Sequence, residues 1–198
     1  MNADLRRLMD NLRVRLPGAL DATVQLEFFS VMNEFFQETN VWTEDIDIPV
    51  VAGLRDYILV PSGVAVINRL MGVVNSDERP VGALMKTPGE LHLMNSPNQA
   101  ATYTAEVALT ITDPVTREGY PEFPDWVLNK YGTDLLDGTL GRMMTQPAKP
   151  YSNERLSIFH MRRFETAKSK AKVEAQHRNV YRGQSWRFPQ SFASRNWR

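Results

Sequence analysis

The side chains best suited to chemistry are three histidines and one pair of aspartates. No two of His92, His160 and His177 are four residues apart, so they do not form a helical metal-binding pair. We interpret all three as polar surface residues. Asp134 and Asp137 lie on neighbouring turns of a predicted helix and can face one another. Paired carboxylates that work as acid and base also need a pocket, so this pair is a catalytic candidate only if one exists.

The sequence contains none of the common catalytic motifs. It has no phosphate-binding GxxxxGK[ST] or GxGxxG, no GxSxG, no HExxH and no EF-hand loop. It also has no cysteine, which excludes disulfides, cysteine-ligated zinc and thiol catalysis. The acidic cluster at 44–47 is suited either to a divalent cation or, as we favour, to a solvated loop. We predict no catalytic residue, no cofactor and no metal, and expect that the protein is not an enzyme.

The composition is that of an ordinary globular protein. The chain has 198 residues, of which 42% are hydrophobic and 23% charged, enough for one domain or for one domain with an insert. Such a content of apolar residues excludes a disordered chain. No run approaches the ~20 apolar residues that cross a bilayer. Charges interrupt the first residues, so they do not form a secretory signal, and we expect a cytosolic protein or an assembly built in the cytosol, with no membrane partner.

The net charge of zero conceals an asymmetry along the chain. Residues 151–198 carry eleven basic and three acidic side chains, which leaves twelve basic and twenty acidic side chains before them. A bipolar chain of this kind is suited to meeting another copy with unlike surfaces. The alternative interpretation is a solvated basic helix and tail.

Four segments have apolar residues at the three- and four-residue spacing of helices. They lie at 4–16, 19–38, 123–144 and 153–181, with a turn predicted at Pro17-Gly18 after the first and a helix cap predicted at Ser152-Asn153 for the last. Three glycines interrupt the third segment: Gly132, Gly138 and Gly141. They predict that another backbone approaches this helix closely, and the alternative interpretation is that the helix simply tolerates them. Leu156, Phe159 and Phe164 form the first half of the apolar face of the last segment, and its second half consists of alanines alone. This narrow face predicts a helix that relies on neighbours for its packing.

The middle of the chain has the pattern of short strands. Runs rich in β-branched residues begin near 46, 55, 64, 89 and 102 and are separated by turn signals. No helix-length segment lies between them, which favours antiparallel pairing of consecutive strands. We predict an α+β fold, an antiparallel helical bundle with an inserted antiparallel β-hairpin or meander module and an extended C-terminal tail. The predicted divisions are 1–43 (helical hairpin), 44–119 (β insert), 120–183 (C-terminal helices) and 184–198 (docking tail).

The order of these elements resembles the head-to-tail adaptor proteins of short-tailed bacteriophages, of the tail-tubular-A type. Four stretches carry the resemblance, and together they span nearly the whole chain. They are LPGALDATVQLEFFSVMNEFFQETNVW at 16–42, INRLMGVVNSDERPV at 67–81, YPEFPDWVLNKYGTDLLDGTLGRMM at 120–144 and QPAKPYSNERLSIFHMRRFETAKSKAKVEAQHRNVYRGQSW at 146–186.

The resemblance implies a structural virion protein without catalytic activity. Such adaptors form a ring, usually dodecameric, between the portal protein and the tail nozzle protein, and double-stranded DNA passes through it without sequence-specific binding. The protein would be assembled in the host cytoplasm and reside at the portal vertex of the virion. The β insert, 44–119, would form its outward or tail-facing module.

Two groups of residues are the candidate functional sites. An aromatic and basic tail is predicted to dock onto the portal or an adjacent subunit, since such residues anchor interfaces. Its candidates are Trp186, Phe188, Phe192, Arg195 and Trp197. Basic residues of the last helix are candidates for either the subunit interface or the wall of the DNA channel. They are Arg162, Arg163, Lys168, Lys170, Lys172 and Arg178, of which the three lysines, two apart, must lie on different faces.

Two other classes of function stay open on the sequence. A nucleic-acid-binding regulator would use the same basic helix and aromatic tail, and would be a discrete monomer or dimer with salt-sensitive DNA affinity. An enzyme built on Asp134 and Asp137 would need a pocket with perturbed acids.

Overall fold

The protein has a mixed α+β fold, as predicted. The structure, a computed structural model, describes residues 3–112 and 121–180, and the side chains of 4–112 and 121–176. Within these ranges the chain forms four helices and two small antiparallel sheets of three strands each. The elements are α1 (Ala3–Arg15), α2 (Asp21–Thr39), β1 (Thr43–Val50), β2 (Asp56–Ile58), β3 (Val66–Val74), β4 (Ala83–Thr87), β5 (Glu90–Leu93), β6 (Ala101–Thr110), α3 (Asp125–Thr145) and α4 (Glu154–Val180).

The helix ends follow from the local residue types. Gly18, at a φ of 81°, ends α1 in the turn predicted at Pro17. Asn40 adopts the left-handed conformation after α2, and its N–H donates to the carbonyl of Phe36. The side-chain oxygen of Asn153 accepts the N–H of Leu156 at 3.0 Å, so the predicted cap of α4 is confirmed.

The four helices share one hydrophobic core. Phe28, Phe35 and Phe36 of α2 are fully buried there, together with Leu135 of α3 and Phe164 of α4. Apolar residues of α1 at three- and four-residue spacing complete the core, as helix periodicity requires.

Neighbouring helices approach α3 closely at two of its three glycines, Gly138 and Gly141, and a backbone atom takes part only at Gly141. A Cβ placed on Gly138 would lie 2.6 Å from Cγ1 of Val31 and 3.0 Å from the ring of Phe164. A Cβ on Gly141 would lie 2.7 Å from the side chain of Met161 and 3.1 Å from its backbone nitrogen. All four distances are shorter than van der Waals contact, so α2 and α4 lie nearer to α3 at these two positions than a larger residue permits.

The strands are antiparallel, but the predicted meander of consecutive hairpins is wrong. The first sheet has the order β1-β6-β3 and the second the order β2-β5-β4. Among the six strands, only β4 and β5 are both consecutive and paired, through a turn at Gly89. The long last strand, β6, lies between β1 and β3 because its alternate residues Ala105, Val107 and Leu109 form the centre of a second core.

Two details of the sheets also differ from the prediction. The sequence runs did not predict β4, a strand of five residues that contains Lys86 and Thr87. The end of β6 is buried on both faces, although its alternation of apolar and polar residues is typical of a strand with one exposed face. Helix α2 contacts β6, and the hydroxyl of Thr110 donates to the side chain of Asn33 on that helix. Trp42, which precedes β1, packs against both cores.

Candidate interaction surface on the last helix

The inward face of α4 contains a buried lysine. Lys168 has a side chain only 6% exposed, and its ammonium group lies 2.6 Å from Glu34, 3.0 Å from Glu38 and 2.9 Å from Glu165. It also lies 5.0 Å from the centre of the Phe164 ring. These contacts join α4 to α2, so Lys168 is not available to DNA or to a neighbouring subunit, which corrects its place among the candidates.

A second ion network connects α3 to α2. Arg142 of α3 lies 3.0 Å from Glu27 and also pairs with Glu34, the main partner of Lys168. Lys168, from the basic C-terminal segment, therefore neutralises part of the acidic excess of the first 150 residues inside the chain.

The two aspartates of α3 have different surroundings. Asp137 is 2% exposed and its Oδ1 lies 2.8 Å from Nδ1 of His160 on α4. Nε of Arg163 lies 2.9 Å from Oδ2, an ion-pair contact whose angle does not meet hydrogen-bond geometry. Asp134 instead lines an open groove, and burial, followed by the charge of Asp137, raises the pKa of its carboxyl group.

The prediction that the histidines are surface residues is wrong for His160. His160 is buried, at 8% exposure, against Asp137 of α3. The sequence did not indicate this pairing, because the two residues lie 23 positions apart on different helices. His92 is half-buried, with its Nδ1 2.7 Å from Asp56. The side chain of His177 lies outside the described residues.

The outward face of α4 has a different character. Five residues at helical spacing form what we call the outer stripe: Arg155, Phe159, Arg162, Lys170 and Val173. Phe159 is 52% exposed and Val173 is 49% exposed, although we expected Phe159 to join the core. Among the described residues, the three cations of this stripe form no ion pair.

A groove of about 540 Å³ runs between the outer stripe and α3. Arg162 and Lys170 contribute one wall, and Lys130, Tyr131 and Asp134 of α3 contribute the other. Lys130 pairs with Glu174, which raises the pKa of the lysine, and burial raises the pKa of Tyr131. The groove thus combines unpaired cations, exposed aromatic surface and one carboxylate that holds a proton more readily than usual.

The remaining candidates lie on other surfaces or outside the described residues. Arg163 is 52% exposed beside the groove, with its guanidinium 5.6 Å from the Phe159 ring. Lys172 is exposed on another side of α4, since two residues turn a helix by about 200°. The three lysines therefore do lie on different faces. The side chain of Arg178 and all of the tail candidates, Trp186, Phe188, Phe192, Arg195 and Trp197, lie outside the described residues.

The described ranges contain no cluster of three or more His, Asp or Glu side chains that could hold a metal ion. None of the helices within them has a segment long and apolar enough to cross a membrane. The acidic cluster at 44–47, which we expected in a loop, lies in strand β1, where alternate residues face opposite sides.

No protein-family model matches the chain. No curated protein matches it either.

Proposed function

We propose that the protein is a structural adaptor of the bacteriophage head-to-tail junction. In this role, copies of the chain form a ring, a dodecamer on the pattern of the adaptors it resembles, between the portal protein and the tail nozzle protein. The ring lengthens the channel through which double-stranded DNA leaves the head. The role is structural and requires no catalytic step or cofactor.

The outer stripe of α4 is the observation that carries this proposal. Its cations form no ion pair within the described residues, and roughly half of the Phe159 side chain is exposed. Arginine and aromatic side chains are enriched at protein interfaces, whereas an isolated soluble chain gains nothing from exposing them in a row. A surface of this composition on a rigid helix is suited to contact with another protein.

The packing of α4 supports the same role. Its inner face is fixed to α2 and α3 by Phe164, by Lys168 and by the close contacts at Gly138. The stripe is therefore held in one geometry by the fold. Preorganised surfaces lose little entropy on association, which favours a repeated, symmetric assembly.

The β insert and the tail complete the proposal. The β insert, 44–119, would face outward or toward the tail nozzle. The segment 184–198 would dock onto the portal or onto an adjacent subunit through Trp186, Phe188, Phe192, Arg195 and Trp197. Deleting 184–198 is expected to abolish docking onto the portal while leaving the melting temperature of the helical body unchanged. Unchanged docking would contradict this part of the proposal.

A mass measurement with electron microscopy tests the proposed function. The full chain is examined alone and mixed with the portal ring of the phage that carries it. We expect annular particles in at least the mixture, with several copies of the chain bound to each portal ring. A chain that stays monomeric and binds no portal ring would overturn the proposal.

A nucleic-acid-binding regulator is the second candidate. The unpaired Arg155, Arg162 and Lys170 on one helix face favour it, because phosphate contacts need free cations. This function predicts a monomer or dimer that binds duplex DNA with an affinity that falls steeply with salt. A mobility-shift titration at about 50 and 200 mM salt, on the same preparation used for the mass measurement, separates the two candidates.

A further inference from the structure

The sheet formed by β1, β6 and β3 has three carboxylates on one face, and none of them forms an ion pair within the part of the chain that the structure describes. Asp45 of β1 lies directly opposite Glu106 of β6 in the antiparallel register, and Asp47 lies opposite Thr104, whose hydroxyl donates to it at 2.9 Å. We call Asp45, Asp47 and Glu106 the acidic strip. Burial, and then the neighbouring charge of Asp45, raises the pKa of Glu106, so the strip is under like-charge repulsion.

Within the described residues, no basic side chain forms an ion pair with the acidic strip. The nearest basic residue on β3 by register, Arg69, lies opposite Ala108, two residues along β6 from Glu106. It forms no ion pair with the three carboxylates. A cationic surface that came close to the strip would therefore relieve repulsion that the chain does not relieve by itself.

The outer stripe of α4 has the complementary composition. It presents Arg155, Arg162 and Lys170 over a length of about 27 Å from position 155 to position 173, at 1.5 Å per residue. Its positions carry no acidic side chain. Phe159 and Val173, both about half exposed, lie among the cations and can bury apolar area against a partner.

We propose that the outer stripe of one copy docks on the acidic strip of the next copy. This inference rests on the proposed function, because it names the two surfaces that join neighbouring copies in the ring. The stripe belongs to a helix and the strip to a sheet, so the contact is heterologous, and its repetition produces a closed ring or a filament. Each copy contributes its outer stripe to one neighbour and its acidic strip to the other, so in a closed ring both charged surfaces of every copy meet an opposite charge.

The chemistry of the contact sets its strength. Exposed ion pairs contribute little individually, so the charges select the partner surface and its orientation while the apolar residues contribute buried area. Association through this contact should weaken as salt is raised, because exposed charges are screened beyond about 8 Å at 0.15 M. The inference requires a second copy of this chain as the occupant. Binding of DNA to the stripe in its place is an outcome that the experiment detects.

Cysteine trapping tests the contact directly, because the natural chain contains no cysteine. The full-length single variants Arg162→Cys and Asp45→Cys are mixed at high concentration and oxidised, alone and with the portal ring present. We expect a covalent heterodimer that forms at least about tenfold faster in the mixture than in either variant alone. Lys172→Cys, on another side of the same helix, is the matched control and should crosslink slowly with Asp45→Cys. Equal rates for the Arg162→Cys and Lys172→Cys pairs would overturn the inference.

Charge reversal provides a second readout. Arg162→Glu with Lys170→Glu in one chain, and Asp45→Lys with Glu106→Lys in another, should each weaken self-association by about tenfold, because two exposed pairs become repulsive. Mixing the two reversed chains should restore association, since each stripe then meets a strip of opposite charge. Lys172→Glu should leave association unchanged. Circular dichroism and melting curves check that each variant is folded.

The outcomes separate the inference from the proposed function. Annular particles that are insensitive to both reversals overturn the stripe-and-strip contact and leave the adaptor role standing. Loss of duplex DNA binding on reversal of the stripe, in a chain that never self-associates, overturns both. Restored association in the mixture supports both.

Discussion

The two faces of α4 use the same residue types for different purposes. On the inner face, the ammonium group of Lys168 is enclosed by three glutamates, and Phe164 is fully buried. On the outer face, Lys170 and Arg162 have no ion-pair partner among the described residues, and Phe159 is half exposed. Lys168 and Lys170 are two positions apart, and this spacing places them on opposite sides of the helix. The charge and aromatic content of the inner face stabilises the fold, whereas that of the outer face is free for a partner.

Removing one phenylalanine from each face of α4 should show the largest difference in stability between the two faces. Phe164→Ala deletes a fully buried ring and should lower the free energy of unfolding by about 3–5 kcal/mol. Phe159→Ala removes a ring that is 52% exposed and should change it by less than about 0.5 kcal/mol. Urea denaturation followed by circular dichroism measures both. Similar losses for the two variants would contradict the assignment of the faces.

The lysines allow the same comparison for charge. Lys168→Ala leaves Glu34 with only Arg142 as a cationic partner and should cost about 2–3 kcal/mol, toward the low end for buried pairs because Glu38 and Glu165 are more than half exposed. Lys172→Ala should be neutral within about 0.5 kcal/mol. Thermal unfolding of both variants at low and moderate salt checks this. A neutral Lys168→Ala would show that the network is not a determinant of stability.

Two glycines of α3 test how closely the inner face of α4 is packed against the other helices. Gly138→Ala forces a methyl group to within 2.6 Å of Val31 and should destabilise the protein by about 1–2 kcal/mol, even after the gain in helix propensity. Gly132→Ala meets only the flexible end of Leu8, at 3.2 Å, so the propensity gain should make it neutral or stabilising by up to about 1 kcal/mol. Denaturant midpoints of the two variants are the measurement. A more stable Gly138→Ala would refute the close approach of α2, α3 and α4.

The acidic strip should produce the smallest effect, visible as a pH dependence. The pKa of Glu106 in the folded state is raised above its usual value of 4.5. At a pH between the unfolded and the folded pKa, the folded state therefore holds a proton that the unfolded state has lost. The contribution of Glu106 to the free energy of unfolding falls as the pH rises through this range. Glu106→Gln should therefore raise the melting temperature relative to the natural chain at pH 7 and not at pH 3. An equal difference at both pH values would contradict the repulsion. The same variant should weaken self-association.

The helices were predictable because each carries its own periodicity and end signals. The spacing of apolar residues and the breaks at Pro17 and Gly18 predict α1 and α2 to within a few residues, and the Asn153 cap predicts the start of α4. Strand pairing was not predictable in this way. The pairing of β1 with β6 joins residues about 60 positions apart, and neither turn signals nor alternation within a strand states which strand lies next to which.

The residue types of the candidate site could be predicted from the sequence, but which of these side chains lie together could not. The basic residues of α4 are evident in the sequence, yet only the packed helices show that Lys168 points inward and Lys170 into the groove. His160 looked like a surface residue because its partner, Asp137, lies on another helix. The carboxylates at 45 and 106 share one face of a sheet through a long-range register, so no local pattern predicts that they act together.

Protection of the outer stripe in the assembled state tests the central claim most directly. A thiol introduced by Arg162→Cys is labelled with a maleimide in the free chain and in the complex with the portal ring, and Lys172→Cys is labelled as the reference. We predict that labelling at position 162 slows at least about tenfold on assembly, while labelling at 172 is unchanged. Equal labelling of position 162 in the free and assembled states, or a chain that never assembles, would contradict the account.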